Sequence, residues 1–294
     1  MKFNYIAGLG IMVLMISCAP LKKNETDKRP DPKNNYADFF LNEVRPDVSK
    51  PCFEGAYYRK LVSSTDNWVG IRGTVILPQI IFDDTRKNPK KPKQYLDNPS
   101  IYLGGNVDGQ ETDIGLSWEV IKDKQGNISE ARVAFRPFLR RTSHKSGQES
   151  IFLNGPATEE YYWYPGEEVF LSLETIGKGL VKFIVEGAGK KYETTFECAG
   201  YTLENKGEFK RVNAIDQMGN EGKPVQPTKT KVNGGKWLHT DLLRMENGKV
   251  LIVPFQSERY TEMNCPNVSF FSVMASDAEK RKGAEEINIS GTGH

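Results

Sequence analysis

Three short runs of alternating residues constrain the fold of this chain more than any other feature. They are Glu168–Thr175, Leu180–Glu186 and Lys191–Cys198, and glycines separate each run from the next. Val169 and Leu171 take alternate positions in the first run, which is typical of a strand with one buried face. The glycine-containing connections are short enough for hairpin turns. We therefore predict an antiparallel meander over this stretch.

Runs of the same kind recur along the chain. They are Trp68–Leu77, Ile101–Leu103, Asp113–Lys122, Glu130–Leu139, Phe209–Ile215, Trp237–Leu243, Val250–Pro254, Val268–Met274 and Ile287–Ile289. Because strands and helices do not alternate regularly, the sequence predicts an all-β fold of two packed antiparallel sheets, a jelly-roll or concanavalin-like sandwich. Short helices, such as one capped by Ser276, are minor additions. We assign residues 51–294 to a single domain, since β-sandwiches often reach about 200–250 residues.

The first seventeen residues form a separate unit. Lys2 precedes an apolar stretch, Tyr5–Ile16, which is shorter than the roughly 20 residues that span a bilayer. Ser17 and Cys18 end it, and the whole segment resembles a bacterial lipoprotein signal, with Met15 where that family usually has leucine. The resemblance implies cleavage after residue 17 and acylation of Cys18, which would anchor the chain in a lipid bilayer. An ordinary secretory signal, in which Cys18 is incidental, is the alternative.

Residues 18–50 are predicted to tether the domain to this anchor. They are rich in proline and charged residues, which is typical of a flexible linker, with a short helix or turn at Tyr36–Val44. Ala19 is not the aspartate that, by resemblance to enteric lipoproteins, retains a protein in the inner membrane. We therefore expect an extracytoplasmic protein anchored in an outer membrane or at the cell surface.

The net charge of the chain narrows the classes of partner that it can be expected to bind. The chain has 40 Lys and Arg against 38 Asp and Glu, and losing Lys2 with the signal leaves 39 against 38, a net charge of +1. Such a balance does not favour nucleic acid as a partner.

With Cys18 acylated, only Cys52, Cys198 and Cys265 remain. They allow at most one disulfide and leave one free thiol, and the sequence leaves the pairing open.

The aromatic run of Tyr161, Tyr162, Trp163 and Tyr164 is the densest candidate for a binding surface. In a strand two of these rings would join the core and two would face solvent. Exposed Tyr and Trp rings offer a rigid apolar surface on which a sugar can stack. The alternative is that the run only anchors a sheet edge.

A second group of candidates lies in the loop predicted at residues 104–112 and just after it, namely Asn106, Asp108, Glu111 and Asp113. Their oxygen atoms are ligands that calcium prefers, so a structural calcium ion is one interpretation and an Asx-rich turn is the other. Glu111 and Asp113 would lie about 7 Å apart on one strand face. That spacing falls within the range of a glycosidase carboxyl pair.

The histidines do not suggest a motif. His144, His239 and His294 are isolated in the sequence, and no nucleophile elbow, phosphate loop or dinucleotide fingerprint is present. Metal, serine-nucleophile and nucleotide chemistry therefore gain no support from local patterns.

Two short segments, Trp68–Ile71 and Tyr161–Pro165, carry a resemblance to a known family. The family is that of the glutamic peptidases, or eqolisins, which are concanavalin-like sandwiches. Trp68–Ile71 is similar to its Trp-Val-Gly-Ile segment, and Gln79 follows near the place of its catalytic glutamine. Tyr161–Pro165 is similar to its Tyr-Glu-Trp-Tyr-Pro segment, but Tyr162 stands where the family has its catalytic glutamate. The resemblance implies the fold without the family's activity.

Together these features predict a lipid-anchored, extracytoplasmic module that binds carbohydrate or another envelope polymer. One alternative is a structural or assembly lipoprotein that contacts envelope proteins. Another is a hydrolase of glycan or peptide that uses Gln79, Glu111 or Asp113. No cofactor is expected other than the calcium ion considered above.

Overall fold

The fold is described by a computed structural model, which covers residues 39–47, 50–119, 134–142 and 148–294. These residues form eighteen strands and one short α-helix, α1 (Asp277–Lys280). Ser276 caps the N-terminus of this helix, as predicted. The strands are β1 (Ala56–Ser63), β2 (Trp68–Ile76), β3 (Gln79–Ile81), β4 (Lys87–Asn88), β5 (Lys91–Tyr95), β6 (Asp97–Val107), β7 (Gln110–Glu119), β8 (Ala134–Arg141), β9 (Ile151–Asn154), β10 (Glu168–Gly177), β11 (Leu180–Gly187), β12 (Lys190–Glu197), β13 (Gly207–Gln217), β14 (Lys231–Glu246), β15 (Lys249–Pro254), β16 (Tyr260–Cys265), β17 (Phe271–Met274) and β18 (Glu285–Ser290).

Two large antiparallel sheets face each other. One has seven strands in the order β16-β1-β13-β6-β7-β8-β9. The other has nine, in the order β12-β11-β10-β2-β14-β18-β17, with β15 and β3 also paired to β14. The predicted meander forms β10, β11 and β12. The prediction of an all-β, antiparallel two-sheet sandwich is confirmed.

The main core lies between the two sheets. Its largest members are the indole rings of Trp68, Trp163 and Trp237, which are fully buried. A smaller apolar cluster lies on the outer face of the seven-stranded sheet, around Tyr58 and Val212. The seven-stranded sheet is therefore covered in part on both faces.

The prediction of a loop at residues 104–112 is wrong. Strands β6 and β7 continue toward each other until only Asp108 and Gly109 separate them. Both residues have positive φ, 49° and 76°, which is the requirement of a two-residue hairpin turn. Asn106 and Glu111 are therefore opposite each other in a strand pair instead of lying in a flexible loop.

The described part of the predicted tether, residues 39–47, packs on the domain as a turn and not as a helix. The ring of Phe40 meets that of Trp68 edge-on, with 6.1 Å between centroids. Arg259 Nε donates to Glu43 Oε1 at 2.7 Å, and both side chains are buried. This segment therefore belongs to the folded body.

Several predicted features lie outside the described residues, namely the signal at residues 1–17, Cys18, the hairpin connection at residues 120–133 and His144. Within the described ranges, no helix is both long enough and apolar enough to cross a bilayer.

The three cysteines of the domain behave as predicted. Cys52 and Cys265 form a disulfide, and Cys198 is a free, buried thiol. Burial raises the pKa of the Cys198 thiol to about 12. This cysteine therefore remains protonated and unreactive at neutral pH.

A buried ionic cluster joins the two sheets. Glu285 on β18 accepts hydrogen bonds from Arg59 on β1, at 2.9 Å and 2.6 Å, and from Arg211 on β13. Arg211 also donates to Thr240 Oγ1 at 2.8 Å. Burial alone would raise the pKa of Glu285, but the two guanidinium groups outweigh it and the pKa is lowered. The carboxylate therefore remains ionised between them.

We expect Glu285→Ala to destabilise the protein by about 3–5 kcal/mol, because it leaves two buried guanidinium groups without their counter-charge. Urea unfolding measures this change. Glu286→Ala is the matched control, since Glu286 is the next residue on the strand and its carboxylate makes a long surface contact with Lys236, at 4.0 Å. A pair of that kind contributes at most about 1 kcal/mol. Equal losses in the two variants would contradict the assigned role of the cluster.

Candidate binding site

The outer face of the seven-stranded sheet carries most of the predicted polar candidates. Strand β6 directs Ile101 and Leu103 into the core, so Tyr102 projects from the other side. The strand register then assigns the neighbouring outward residues, because opposite residues of an antiparallel pair share a face. We call this surface the Tyr102 face, and it consists of Tyr102, Asn106, Glu111, Asp113, Phe138, Arg140, Phe152 and Lys210.

A charged row crosses this face through a gap in β6. Gly104 lies between Lys210 on β13 and Asp113 on β7 in the register. Lys210 Nζ reaches Asp113 Oδ1 at 2.8 Å across it and also pairs with Glu111. A Cβ atom on Gly104 would lie 2.4 Å from Asp113 Oδ1, so only glycine leaves room for the ion pair. Arg140 on β8 continues the row, with Nη1 3.9 Å from Asp113 Oδ2.

An aromatic row runs beside the charged one through a second gap. Gly115 of β7 lies between Tyr102 and Phe138 in the register. The rings of Tyr102 and Phe138 meet edge-on across it, with 5.8 Å between centroids. Phe138 in turn stacks on Phe152 of β9, at 6.0 Å and an interplanar angle of 18°. Three rings are thus aligned across four strands.

Access to the face increases toward β9. The Asp113 side chain is 7% exposed, whereas that of Arg140 is 54% exposed and Phe152 is 60% exposed. At the β13 end, Lys60, Asn106, Glu111 and Lys210 contribute to the lining of a small polar cavity. A ligand can therefore contact charges and an aromatic ring on one continuous surface.

The carboxyl groups of this region differ in their protonation. Burial would raise the pKa of Glu111, but the charge and hydrogen bond of Lys210 outweigh it and the pKa is lowered. Burial raises the pKa of Asp216 on β13 to about 6, with added repulsion from Asp113. Ser100 Oγ donates to Asp216 Oδ2 at 2.6 Å. At neutral pH Glu111 therefore holds no proton to donate, whereas Asp216 titrates in mildly acidic solution.

The structure brings three of the four predicted oxygen ligands to one face but pairs two of them with a lysine. Asn106, Glu111 and Asp113 share the Tyr102 face, while Asp108 lies in the hairpin turn. The Lys210 ammonium lies between the two carboxylates, where the calcium interpretation would place the ion. Among the described residues, no group of three or more His, Cys, Asp or Glu side chains is arranged to hold a metal. The two carboxylates therefore share one lysine as their counter-charge.

The aromatic run contributes less surface than the sequence suggests. Tyr162 and Trp163 are both buried, and Trp163 Nε1 donates to the Gly187 carbonyl at 3.1 Å. Strict alternation fails because a 3-10 helix, Glu159–Tyr161, leads directly into the run. Tyr162 and Trp163 are therefore anchors of the sandwich, which is the alternative given above, and the binding prediction for them is corrected.

Only Tyr161 and Tyr164 remain partly exposed in the run. The ring of Tyr161 meets that of Tyr192 edge-on, at 5.6 Å between centroids. Lys190 Nζ lies 4.7 Å from the centre of the Tyr164 ring. These contacts form a small separate surface at the start of β12.

The run and the hairpin lie at opposite ends of the sandwich. Trp163 pairs with Phe135, which lies opposite Trp118 near the end of β7, whereas Gln110 begins that strand. Eight residue steps along β7 correspond to about 27 Å. The two predicted groups therefore do not form a single site.

Gln79 belongs to the aromatic-run end. Its exposed amide lies beside Gly166, two residues beyond Tyr164. It does not approach Glu111 or Asp113 through any described contact, so the three proposed catalytic residues are not brought together. The phenol oxygen of Tyr162 is buried and has no hydrogen-bond partner among the described residues.

Sequence reasoning missed the residues that complete the Tyr102 face, namely Phe138, Arg140, Phe152 and Lys210. One sequence feature could have predicted part of this face. The Asp108-Gly109 pair is a strong hairpin signal, and it fixes the register of β6 against β7. The partners on β13 and β9 come from distant parts of the chain, and no local pattern indicates them.

Comparisons with known proteins show similarity in fold only. No protein-family model matches the chain, and no curated protein matches it. Scytalido-glutamic peptidase, solved with a peptide-based transition-state analogue, is 10% identical with a TM-score of 0.45, over 81% of this chain and 100% of that one. A Bacteroides ovatus mixed-linkage glucan GH16 protein is 10% identical with a TM-score of 0.31, over 63% and 80%. The CBM2 module of Lactobacillus casei BL23 phage J-1 evolved Dit is 8% identical with a TM-score of 0.29, over 56% of each chain.

We expect Gly115→Ala to separate the aromatic row. The new Cβ would lie 2.3 Å from the Ile101 carbonyl oxygen and 2.5 Å from Tyr102 Cα, and backbone atoms cannot move aside easily. The loss in unfolding free energy should reach about 1–3 kcal/mol. Urea unfolding and near-ultraviolet circular dichroism measure it. Gly155→Ala is the control, because the atoms nearest to its Cβ would be those of the Pro137 ring, at 3.3 Å. An unchanged unfolding midpoint in Gly115→Ala would contradict the packing described.

Proposed function

We propose that this chain is a lipid-anchored, extracytoplasmic β-sandwich that binds a polysaccharide through the Tyr102 face. The observation that carries the proposal is the adjacency of an aromatic row and a row of paired charges on one sheet face. The proposal moves the binding surface from Tyr161–Tyr164 to β6, β7, β8 and β9.

The chemistry of the two rows matches that of a sugar chain. A pyranose ring has an apolar face of C–H groups, which can lie against an exposed ring such as Phe152. Its hydroxyls both donate and accept hydrogen bonds, so they can pair with the carboxylate of Glu111 and the guanidinium of Arg140. Because Glu111 is already paired with Lys210, and Arg140 with Asp113, the site is organised before a ligand arrives.

Two other functions remain as alternatives to simple binding. A hydrolase needs a carboxyl that keeps a proton for the leaving group, and burial raises the pKa of the Asp216 carboxyl in this way. An assembly lipoprotein would use the same exposed surface to contact an envelope protein. The experiment below separates all three.

We expect the full-length chain to be depleted from solution selectively by one class within a panel of insoluble polysaccharides and cell walls. Arg140→Ala combined with Phe152→Ala should weaken this binding at least about tenfold, because it removes a charged hydrogen-bond donor and a stacking ring. The matched control removes a ring and a cation at the other end of the sandwich, Tyr164→Ala with Lys191→Ala, and should bind normally.

The outcomes of this experiment are distinct. Loss of binding in the control pair alone would place the site at the aromatic run and overturn the Tyr102 face. Depletion accompanied by release of soluble sugar, abolished by Asp216→Asn, would establish the hydrolase. Absence of depletion by every polymer would reject polysaccharide binding and leave the assembly role as the better account.

Anchoring is tested separately. In a bacterial host we expect the chain to sediment with membranes, and Cys18→Ser to release it into the soluble extracytoplasmic fraction. The reason is that each buried methylene of an acyl chain contributes about 0.8 kcal/mol to membrane binding. Cys198→Ser, which alters a buried thiol, should leave the chain on the membrane. Equal sedimentation of the chain with and without Cys18 would favour an ordinary secretory signal.

A further inference from the structure

The nine-stranded sheet carries a hydrogen-bonded relay on its outer face. The Thr74 hydroxyl lies 2.9 Å from His239 Nε2, and His239 Nδ1 lies 3.2 Å from Asp241 Oδ2. Thr74 is on β2, and the other two residues are on the neighbouring strand β14. A hydroxyl, an imidazole and a carboxylate in this order match the arrangement of a nucleophile, its general base and the group that orients the base.

A β-bulge creates this arrangement. Trp237 is opposite Val75 and points into the core, so regular alternation would send His239 into the core as well. The register shifts between Trp237 and His239, and His239 is opposite Thr74 instead. The extra residue, Leu238, reverses the facing of the strand beyond it. Bulges commonly redirect a side chain in this way beside functional sites.

The relay is accessible and rigidly supported. Strands β2 and β14 are central in their sheet, with strands on both sides. The His239 side chain is 34% exposed and Thr74 is also partly exposed, so a small molecule can reach the pair. Asp241 is less exposed than His239, and its Oδ2 atom, which His239 contacts, also lies 3.8 Å from Arg72 Nε.

We propose that Thr74, His239 and Asp241 form an acyl-transfer site that accepts the acyl group of a carboxylic ester. Asp241 accepts the Nδ1 proton of His239, which leaves the Nε2 lone pair directed at the Thr74 hydroxyl. The site lies on the opposite sheet from the Tyr102 face and does not depend on the proposed polysaccharide binding.

The reaction balances without a further reagent. Thr74 Oγ1 attacks the ester carbonyl while its proton moves to His239 Nε2. The bond from the carbonyl carbon to the alkoxy oxygen then breaks, and His239 returns the proton to the departing alcohol. The products are a Thr74 ester and a free alcohol. Water, activated by His239 in the same way, hydrolyses the Thr74 ester to a carboxylic acid and regenerates the hydroxyl.

The test uses p-nitrophenyl acetate with the full-length chain, and peptide mass spectrometry to locate acetyl groups. We expect acetylation of the hydroxyl at position 74 in the unsubstituted protein and in Thr74→Ser. Thr74→Val should carry none at this position. His239→Gln should slow acetylation of Thr74 about 100-fold, since general-base catalysis contributes at least that factor.

Controls distinguish the relay from surface chemistry. Thr195→Val removes an exposed threonine on the outer face of β12 and should change nothing at Thr74. His294→Gln removes an exposed histidine elsewhere. Melting curves verify that each variant folds. Acetylation of lysines with Thr74 unmodified, or equal acetylation of Thr74 with and without His239, would overturn the proposal.

Discussion

The sandwich depends on one carboxylate held between two guanidinium groups. Glu285 comes from the nine-stranded sheet, while Arg59 and Arg211 come from neighbouring strands of the other. Such a group is costly to desolvate, and its attraction to two cations compensates only when all three are correctly placed. Apolar contacts alone would tolerate some sliding of one sheet on the other. The ionic cluster instead selects one alignment, and so fixes the outer faces on which both candidate sites lie.

Sequence patterns predicted the individual strands better than they predicted which strands lie next to each other. Alternation identified β10 and β11 because each buries one face, a property of the strand itself. The stretch around Gly104 and Gly105 suggested a loop because glycine is common in turns, yet both glycines are inside β6. Their role depends on β7 and β13 on either side, and β13 begins about a hundred residues later. The local composition around these glycines does not indicate which strands will lie on either side of them.

The candidate sites show the same difference between residues that are close in sequence and residues that come from distant strands. Asn106, Glu111 and Asp113 were identified because they are close in sequence, and the hairpin holds them on one face. Lys210 and Phe152 were missed because they reach that face from other parts of the chain. His239 looked isolated for the same reason, since its partner Thr74 precedes it by 165 residues. The joint burial of the neighbours Tyr162 and Trp163 could not be predicted, because a 3-10 helix at Glu159–Tyr161 breaks the alternation of a strand.

The disulfide between Cys52 and Cys265 has a mechanical consequence. Cys265 ends β16, an edge strand of the seven-stranded sheet, and Arg259, which binds Glu43, precedes the same strand. The N-terminal segment is therefore attached at both ends of this edge. A pull that reaches Cys52 would pass to β1 and β16 together, at the end where Tyr58 is opposite Cys265. Peeling β1 away one bond at a time, the easier way to open a sheet, is blocked by a covalent bond.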